Sequence, residues 1–330
     1  MFPTISRSHR ECGWPKCSLG KRGKQAVSEV ESRNGDQAKN LRRIVDMQRR
    51  PVRAGYGLRS LAVLSGKGGV GKSNISVNLS LAMAGRGKRI VLLDADLGMA
   101  NVDLLCGLSP KFNLAHVIRG EKQIQDILLP LGENLSVLPG GPGVRELADL
   151  GEEALLNLID SLSVLESLAD VLVIDTGAGI HRNVISFGAA SDTVLLVTTP
   201  EPTSIRDAYG VLKALAFAGG GKADVTVVVN MASSPEEGED VADRIRSAAS
   251  RFLGISPAFG GTVLRDDAVS LAVRKRTPLL TAFPDSDAAR RLRSVADRIL
   301  GIEEAQESLP SGRGVKSFFF RLARGLGLRR

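Results

Sequence analysis

The sequence predicts a doubly wound α/β domain, a mostly parallel sheet with helices on both faces, flanked by an N-terminal helical arm and a C-terminal amphipathic helix. Three observations predict it. From Leu61 onward, short β-branched runs alternate with longer stretches of three- and four-residue apolar spacing, the pattern of βαβ units feeding a buried parallel sheet. A glycine-rich loop joins the first such run to the first such stretch. Aspartates close the second and fourth runs, at the strand ends where open α/β sheets bind ligands.

Strands are expected at Leu61 to Leu64, Arg89 to Asp94, Leu135 to Leu138, Val171 to Asp175, Thr193 to Thr198, Val225 to Asn230, and around Thr262 to Leu264. The apolar spacing predicts helices over 73–86, 153–167, 203–216, 236–252 and 286–300. The domain is therefore assigned to residues 60–303. Residues 1–35 read as a disordered basic arm, 36–59 as a segment that folds against a partner or its own core, and 304–314 as a Ser-, Pro- and Gly-containing linker. Residues 315–330 form a separate helix, with Val315, Phe318, Phe319, Leu322 and Leu326 on one side and Arg321 and Arg324 on the other. A net charge of +8 is concentrated at the two ends. Phenylalanines among acyl chains and arginines at anionic head groups suit this helix to a membrane interface. The alternative is a tail packed on its own core, since Phe320 and Leu328 blur the apolar stripe. No run approaches the roughly 18 to 20 apolar residues of a membrane span, and the first residues lack a signal peptide's apolar stretch. With Cys12, Cys17 and Cys106 too few for a disulfide framework, a cytoplasmic protein with at most peripheral membrane contact is expected. His9, Cys12 and Cys17 offer three potential metal ligands and no evident fourth.

Gly66, Lys67, Gly68, Gly69, Val70, Gly71, Lys72 and Ser73 satisfy G-x-x-x-x-G-K-[ST] between a strand and a helix, the context the motif requires. Backbone N–H groups converge on phosphate oxygens there, the helix N-terminus adds partial positive charge, Lys72 reaches the outer phosphates, and Ser73 can ligate Mg²⁺. Asp175 closes the apolar run Val171 to Ile174 as a Walker B aspartate does, and is expected to hold Mg²⁺ through water. ATP and Mg²⁺ are the expected cofactors.

The second lysine makes the loop K-G-G-V-G-K-S, which resembles the MinD/ParA family of ATPases over roughly residues 60 to 300. The resemblance implies a slow, switch-type ATP hydrolase whose two copies sandwich the nucleotides, with Lys67 crossing to the partner's nucleotide like an arginine finger. It also implies that Asp96 positions the attacking water, Asp94 stands behind the Mg²⁺ ligands, and the Asn230 amide reads adenine. Thr198 to Ser204 resembles the family's switch-proximal loop, leading into a helix capped by Thr203 or Ser204. Arg265 stands where MinD-like chains commonly carry proline.

Asp36-Gln37-Ala38-Lys39-Asn40-Leu41-Arg42 resembles the D-Q-A-x-x-L-R signature of the FlhG (FleN, YlxH) group, regulators of flagellar number and placement. That resemblance implies that Asp36, Gln37, Leu41 and Arg42 stimulate an FlhF-like GTPase of the signal-recognition-particle type, and that Asn101 faces the dimer interface. The implied partners are a second copy, that GTPase, and anionic lipids of the inner membrane, with flagellar switch-complex or transcription-regulator proteins as further candidates. Specific nucleic acid is not expected. Two functions compete: a ParA-type DNA-partitioning ATPase or MinD-type division-site regulator, and an iron–sulfur carrier on the same fold. The second needs four thiolates from two chains, and the core supplies Cys106 alone.

Overall fold

The structure, a computed structural model, describes residues 57–96, 101–146, 152–218, 224–302 and 314–327. The basic arm of residues 1–35, the partner-activating residues Asp36, Gln37, Leu41 and Arg42, and nearly all of the 304–314 linker lie outside the described residues.

Eight strands form one sheet: β1 (Arg59–Leu64), β2 (Ile90–Ala95), β3 (Leu129–Pro130), β4 (Leu135–Pro139), β5 (Val171–Thr176), β6 (Thr193–Thr198), β7 (Asp224–Ala232) and β8 (Ala258–Leu264). Their order is β3-β4-β2-β5-β1-β6-β7-β8, and every pair is parallel except β3 with β4. The central strands are apolar without a break because both faces are covered. On β1, Leu61 and Val63 belong to one core cluster, while Ala62 and Leu64 belong to the other. Helix α1 (Lys72–Gly85) shares the first cluster with α2 (Val102–Cys106) and with a later helix over Asp287–Ile299. Three more short helices follow α2: α3 (Leu114–Ile118), α4 (Ile124–Ile127) and α5 (Gly143–Glu146).

The predicted helix over 153–167 is broken into α6 (Glu152–Leu162) and α7 (Leu165–Leu168). Ser163 ends the first piece, its hydroxyl donating to the Asp160 carbonyl at 2.6 Å. On the second face lie α8 (Arg182–Ala190), α9 (Pro202–Phe217) and α10 (Pro235–Leu253). Neither Thr203 nor Ser204 caps α9. Pro202, with its ring-fixed φ, supplies the first turn, and Ser204 instead accepts from the Thr199 N–H at 3.0 Å and shares a 2.9 Å hydrogen bond with Thr198. Beyond β8 come α11 (Asp267–Arg274), α12 (Leu279–Ala282), α13 (Asp287–Ile299) and α14 (Gly314–Leu326). Asp266 ties two of them together. It caps α11 through Ala268 N–H at 2.9 Å and accepts from Ala288 at 3.1 Å.

In the single chain the C-terminal helix packs on the chain's own core, the alternative that the sequence left open beside a membrane interface. Phe318, Phe319, Leu322 and Leu326 are buried against the chain's own α8, α6 and β1, and Phe318 stacks on Phe187 with centroids 6.4 Å apart. The physical reason is the ordinary one: at about 25 cal/mol per Å² of apolar area, an amphipathic stripe beside an apolar trough is more stable covered than wet. Polar contacts hold both ends of the helix. Glu166 accepts from Val315 N–H at 2.9 Å and Asp160 pairs with Lys316 at 2.7 Å, while Arg182 donates to the Gly325 carbonyl at 3.1 Å. Arg321, expected at lipid head groups, donates to the Ala190 carbonyl at 2.8 Å and reaches Asp192 at 3.5 Å. Arg324 alone of that pair stays exposed.

Candidate active site

The loop from Gly66 to Gly71 leaves β1 and enters α1 at the carboxyl end of the sheet's centre. Two glycines are needed for different reasons. Any Cβ on Gly66 would run into the Asp207 carbonyl of α9, and Gly71 caps α1 with φ at 84°, in the left-handed region that disfavours side chains. Gly68 and Gly69 face open space, with no atom within 4 Å of where a Cβ would stand. The first turn of α1 holds no acidic residue. Its N-terminal partial charge is thus unopposed and available to an anion.

Lys72, Asp175 and Asp94 come together as expected. Lys72 Nζ lies 2.9 Å from Asp175 Oδ1, a pair almost entirely removed from solvent. Asp94 and Asp175 are register partners on the adjacent parallel strands β2 and β5. Burial and then the neighbouring Asp175 carboxylate push the Asp94 carboxyl up to about 7. Its oxygens accept the Asp96 and Val102 N–H groups, both at 3.2 Å, which pins the start of the loop after β2 and the start of α2. Asp175 Oδ2 is buried without a hydrogen-bond partner. Two side-by-side carboxylates and an orphaned carboxylate oxygen next to a phosphate loop are the donor set of a hydrated divalent cation, so Ser73, Asp175 and Asp94 fit Mg²⁺. The Asp96 carboxylate sits over Gly177, 3.5 Å from where its Cβ would be, so the loops after β2 and β5 meet at that side chain.

In the single chain three further predicted residues are placed as follows. Lys67 turns to its own chain: its ammonium lies 2.6 Å from Glu201 and 3.2 Å from Thr203 Oγ1 at the start of α9, and this contact holds the Glu201 carboxyl below the usual range. Asn230 donates one amide N–H to the Val70 carbonyl at 2.8 Å, bracing the phosphate loop, and keeps its second N–H and its Oδ1. The next residue, Met231, adopts φ of 60° at the bulge that separates Asn230 from Ala232. Asn101 begins α2 without a side-chain capping bond. Sequence reasoning missed Ser76, whose hydroxyl lies 2.8 Å from Asp175 Oδ1, and Glu201. A serine among the apolar residues of a fully buried helix was the available signal for the first. Cys106 is buried, and burial pushes its thiol up to about 12, away from thiolate chemistry.

Comparison with known proteins agrees with this geometry. Residues 61–279 match the family model described as the CobQ/CobB/MinD/ParA nucleotide binding domain. The chain is 43% identical over 229 residues to the antiactivator FleN of Pseudomonas aeruginosa, covering 69% of this chain and 81% of that one. It is 34% identical over 270 residues to the flagellum site-determining protein YlxH of Helicobacter pylori, covering 81% and 90%. Among solved structures, the cell division ATPase MinD of Pyrococcus furiosus superposes with a TM-score of 0.58 at 26% identity, over 75% of this chain and 99% of that one. The MinD of Pyrococcus horikoshii complexed with Mg-ADP shares the fold, with a TM-score of 0.59 at 21% identity over 76% and 100%. The loop with two lysines, the paired aspartates at the ends of β2 and β5, and these similarities together make the chain a P-loop ATPase of the CobQ/CobB/MinD/ParA nucleotide-binding family, of the FleN and YlxH kind.

Proposed function

We propose that this chain is a flagellar number and placement switch that works by ATP-dependent pairing and membrane attachment. ATP with Mg²⁺ enters the loop 66–73, Lys72 leaves Asp175 for the outer phosphates, and two copies close face to face through Lys67 and Asn101. Ser73, Asp175 and Asp94 would hold Mg²⁺, which would neutralise charge on the phosphates, and Asp96 orients the attacking water. Slow hydrolysis then resets the chain. The observation that carries this reading is Lys67. Lys67 is a second lysine in the phosphate loop, turned outward to Glu201 at 2.6 Å while Lys72 lies buried on Asp175, and that outward placement supports a role at a partner's nucleotide.

The membrane step follows from the tail. Phe318, Phe319, Leu322 and Leu326 are covered in the single chain, so lipid attachment requires α14 to leave its seat. Two tails on one pair then share a membrane, and effective concentration turns weak anchors into a firm one. No described helix is long and apolar enough to cross a membrane. Asp36, Gln37, Leu41 and Arg42 engage an FlhF-like GTPase in this scheme. Sedimentation with anionic liposomes tests it, on the intact chain and on one ending at Gly312. Cosedimentation of the intact chain with ATP but not ADP is expected. Sedimentation independent of nucleotide, or unaffected by truncation, overturns the membrane switch.

A further inference from the structure

Asp175 is held on one side only. Its Oδ1 receives both Lys72 Nζ at 2.9 Å and Ser76 Oγ at 2.8 Å, while Oδ2 has no hydrogen-bond partner and the residue is wholly buried. The two donors have different futures. Lys72 belongs to the phosphates once a nucleotide is bound, so its bond to Asp175 is temporary. Ser76 stands one turn further along α1, outside the phosphate loop and fully buried. We infer that Ser76 is the positioning residue for the metal-side carboxylate: its hydroxyl keeps Asp175 Oδ1 in place when Lys72 departs, leaving Oδ2 for a water of the bound Mg²⁺. This inference rests on the Mg²⁺-nucleotide reading above.

The geometry separates this role from the ordinary one of a buried helical serine. Ser76 lies 3.1 Å from the Lys72 carbonyl as well, the back-bond that serines in helices commonly make. A hydroxyl has one proton to give. The shorter contact is to the carboxylate, and a charged acceptor in a dry site makes the stronger bond. Ser80 supplies an internal control. One turn further on the same helix and equally buried, it donates to the Ser76 carbonyl at 2.7 Å and touches no carboxylate.

The test measures ADP affinity of the full chain by calorimetry, with excess Mg²⁺ and with EDTA, because ADP keeps pairing of chains out of the readout. The ratio of the two affinities is the contribution of the metal. Ser76→Ala is expected to cut that ratio by about fivefold, the worth of one net hydrogen bond, while affinity in EDTA stays within about twofold. Ser80→Ala and Ser76→Thr should both keep the ratio of the parent. Should the alanine chain not fold, Ser76→Cys, of similar volume and weak as a donor, carries the same expectation. An unchanged ratio in Ser76→Ala, or an equal fall with and without Mg²⁺, overturns the inference. A parent chain whose ADP affinity ignores Mg²⁺ overturns the metal reading itself.

Discussion

Asp94 is a carboxyl that stays half protonated near neutral pH, because burial and the Asp175 carboxylate both oppose its charge. In the unfolded chain it ionises near the ordinary carboxylate value of 3.8, and in the folded chain near 7. Between those values the folded state holds the extra proton, so this group costs the fold increasing stability as pH rises from about 4 to about 7 and nothing further above. Asp94→Asn removes that slope. Relative to the parent, its urea midpoint should improve between pH 5 and pH 8 by the equivalent of about 1–3 kcal/mol, less than the full shift because that window opens above the unfolded value. At Lys67 the expected outcome concerns pairing. Lys67→Ala should bind ADP within about twofold of the parent and fail to form the ATP-dependent pair in analytical ultracentrifugation. A variant that still pairs and hydrolyses normally leaves a P-loop ATPase without the sandwich. Lys72, Ser73 and Asp175 were legible in the sequence because the phosphate loop has fixed spacing and the aspartate closes an apolar strand. Ser76 and Glu201 were not, since their partners lie 99 and 134 positions away and only the folded register brings them together.

Among the elements, the strands were read well because a buried parallel strand is a continuous apolar run. The helix over 153–167 and the cap of α9 were misread for local reasons. Ser163 turns the chain with its own hydroxyl, and Ser204 looks inward to β6 instead of closing the helix. That inward contact predicts a cost: Ser204→Ala leaves the buried Thr199 N–H without its acceptor and should lower unfolding stability by about 1–3 kcal/mol in urea. The tail helix was legible as amphipathic, but periodicity cannot say whether an apolar stripe meets lipid or protein. Its seat is a better target than the helix. Phe187→Ala removes the ring beneath Phe318 without altering the tail, a truncation worth about 3–5 kcal/mol in a packed core. The expected result is liposome sedimentation in ADP that the parent does not show.

Across the whole molecule, the sheet order puts β1, β5 and β2 at the centre, so one end of the sheet gathers the phosphate loop and both aspartates while helices insulate the flanks. The C-terminal helix is part of that insulation. Its departure would do more than expose its own phenylalanines. It would uncover the seat around Phe187, the ring now stacked beneath Phe318, and an apolar hollow in water is a surface that seeks a mate. Cutting the chain at Gly312 therefore trades a membrane-seeking helix for a bare hollow, and light scattering of the shortened protein should report nucleotide-independent clustering, which a synthetic peptide of residues 314–330 added in excess should disperse.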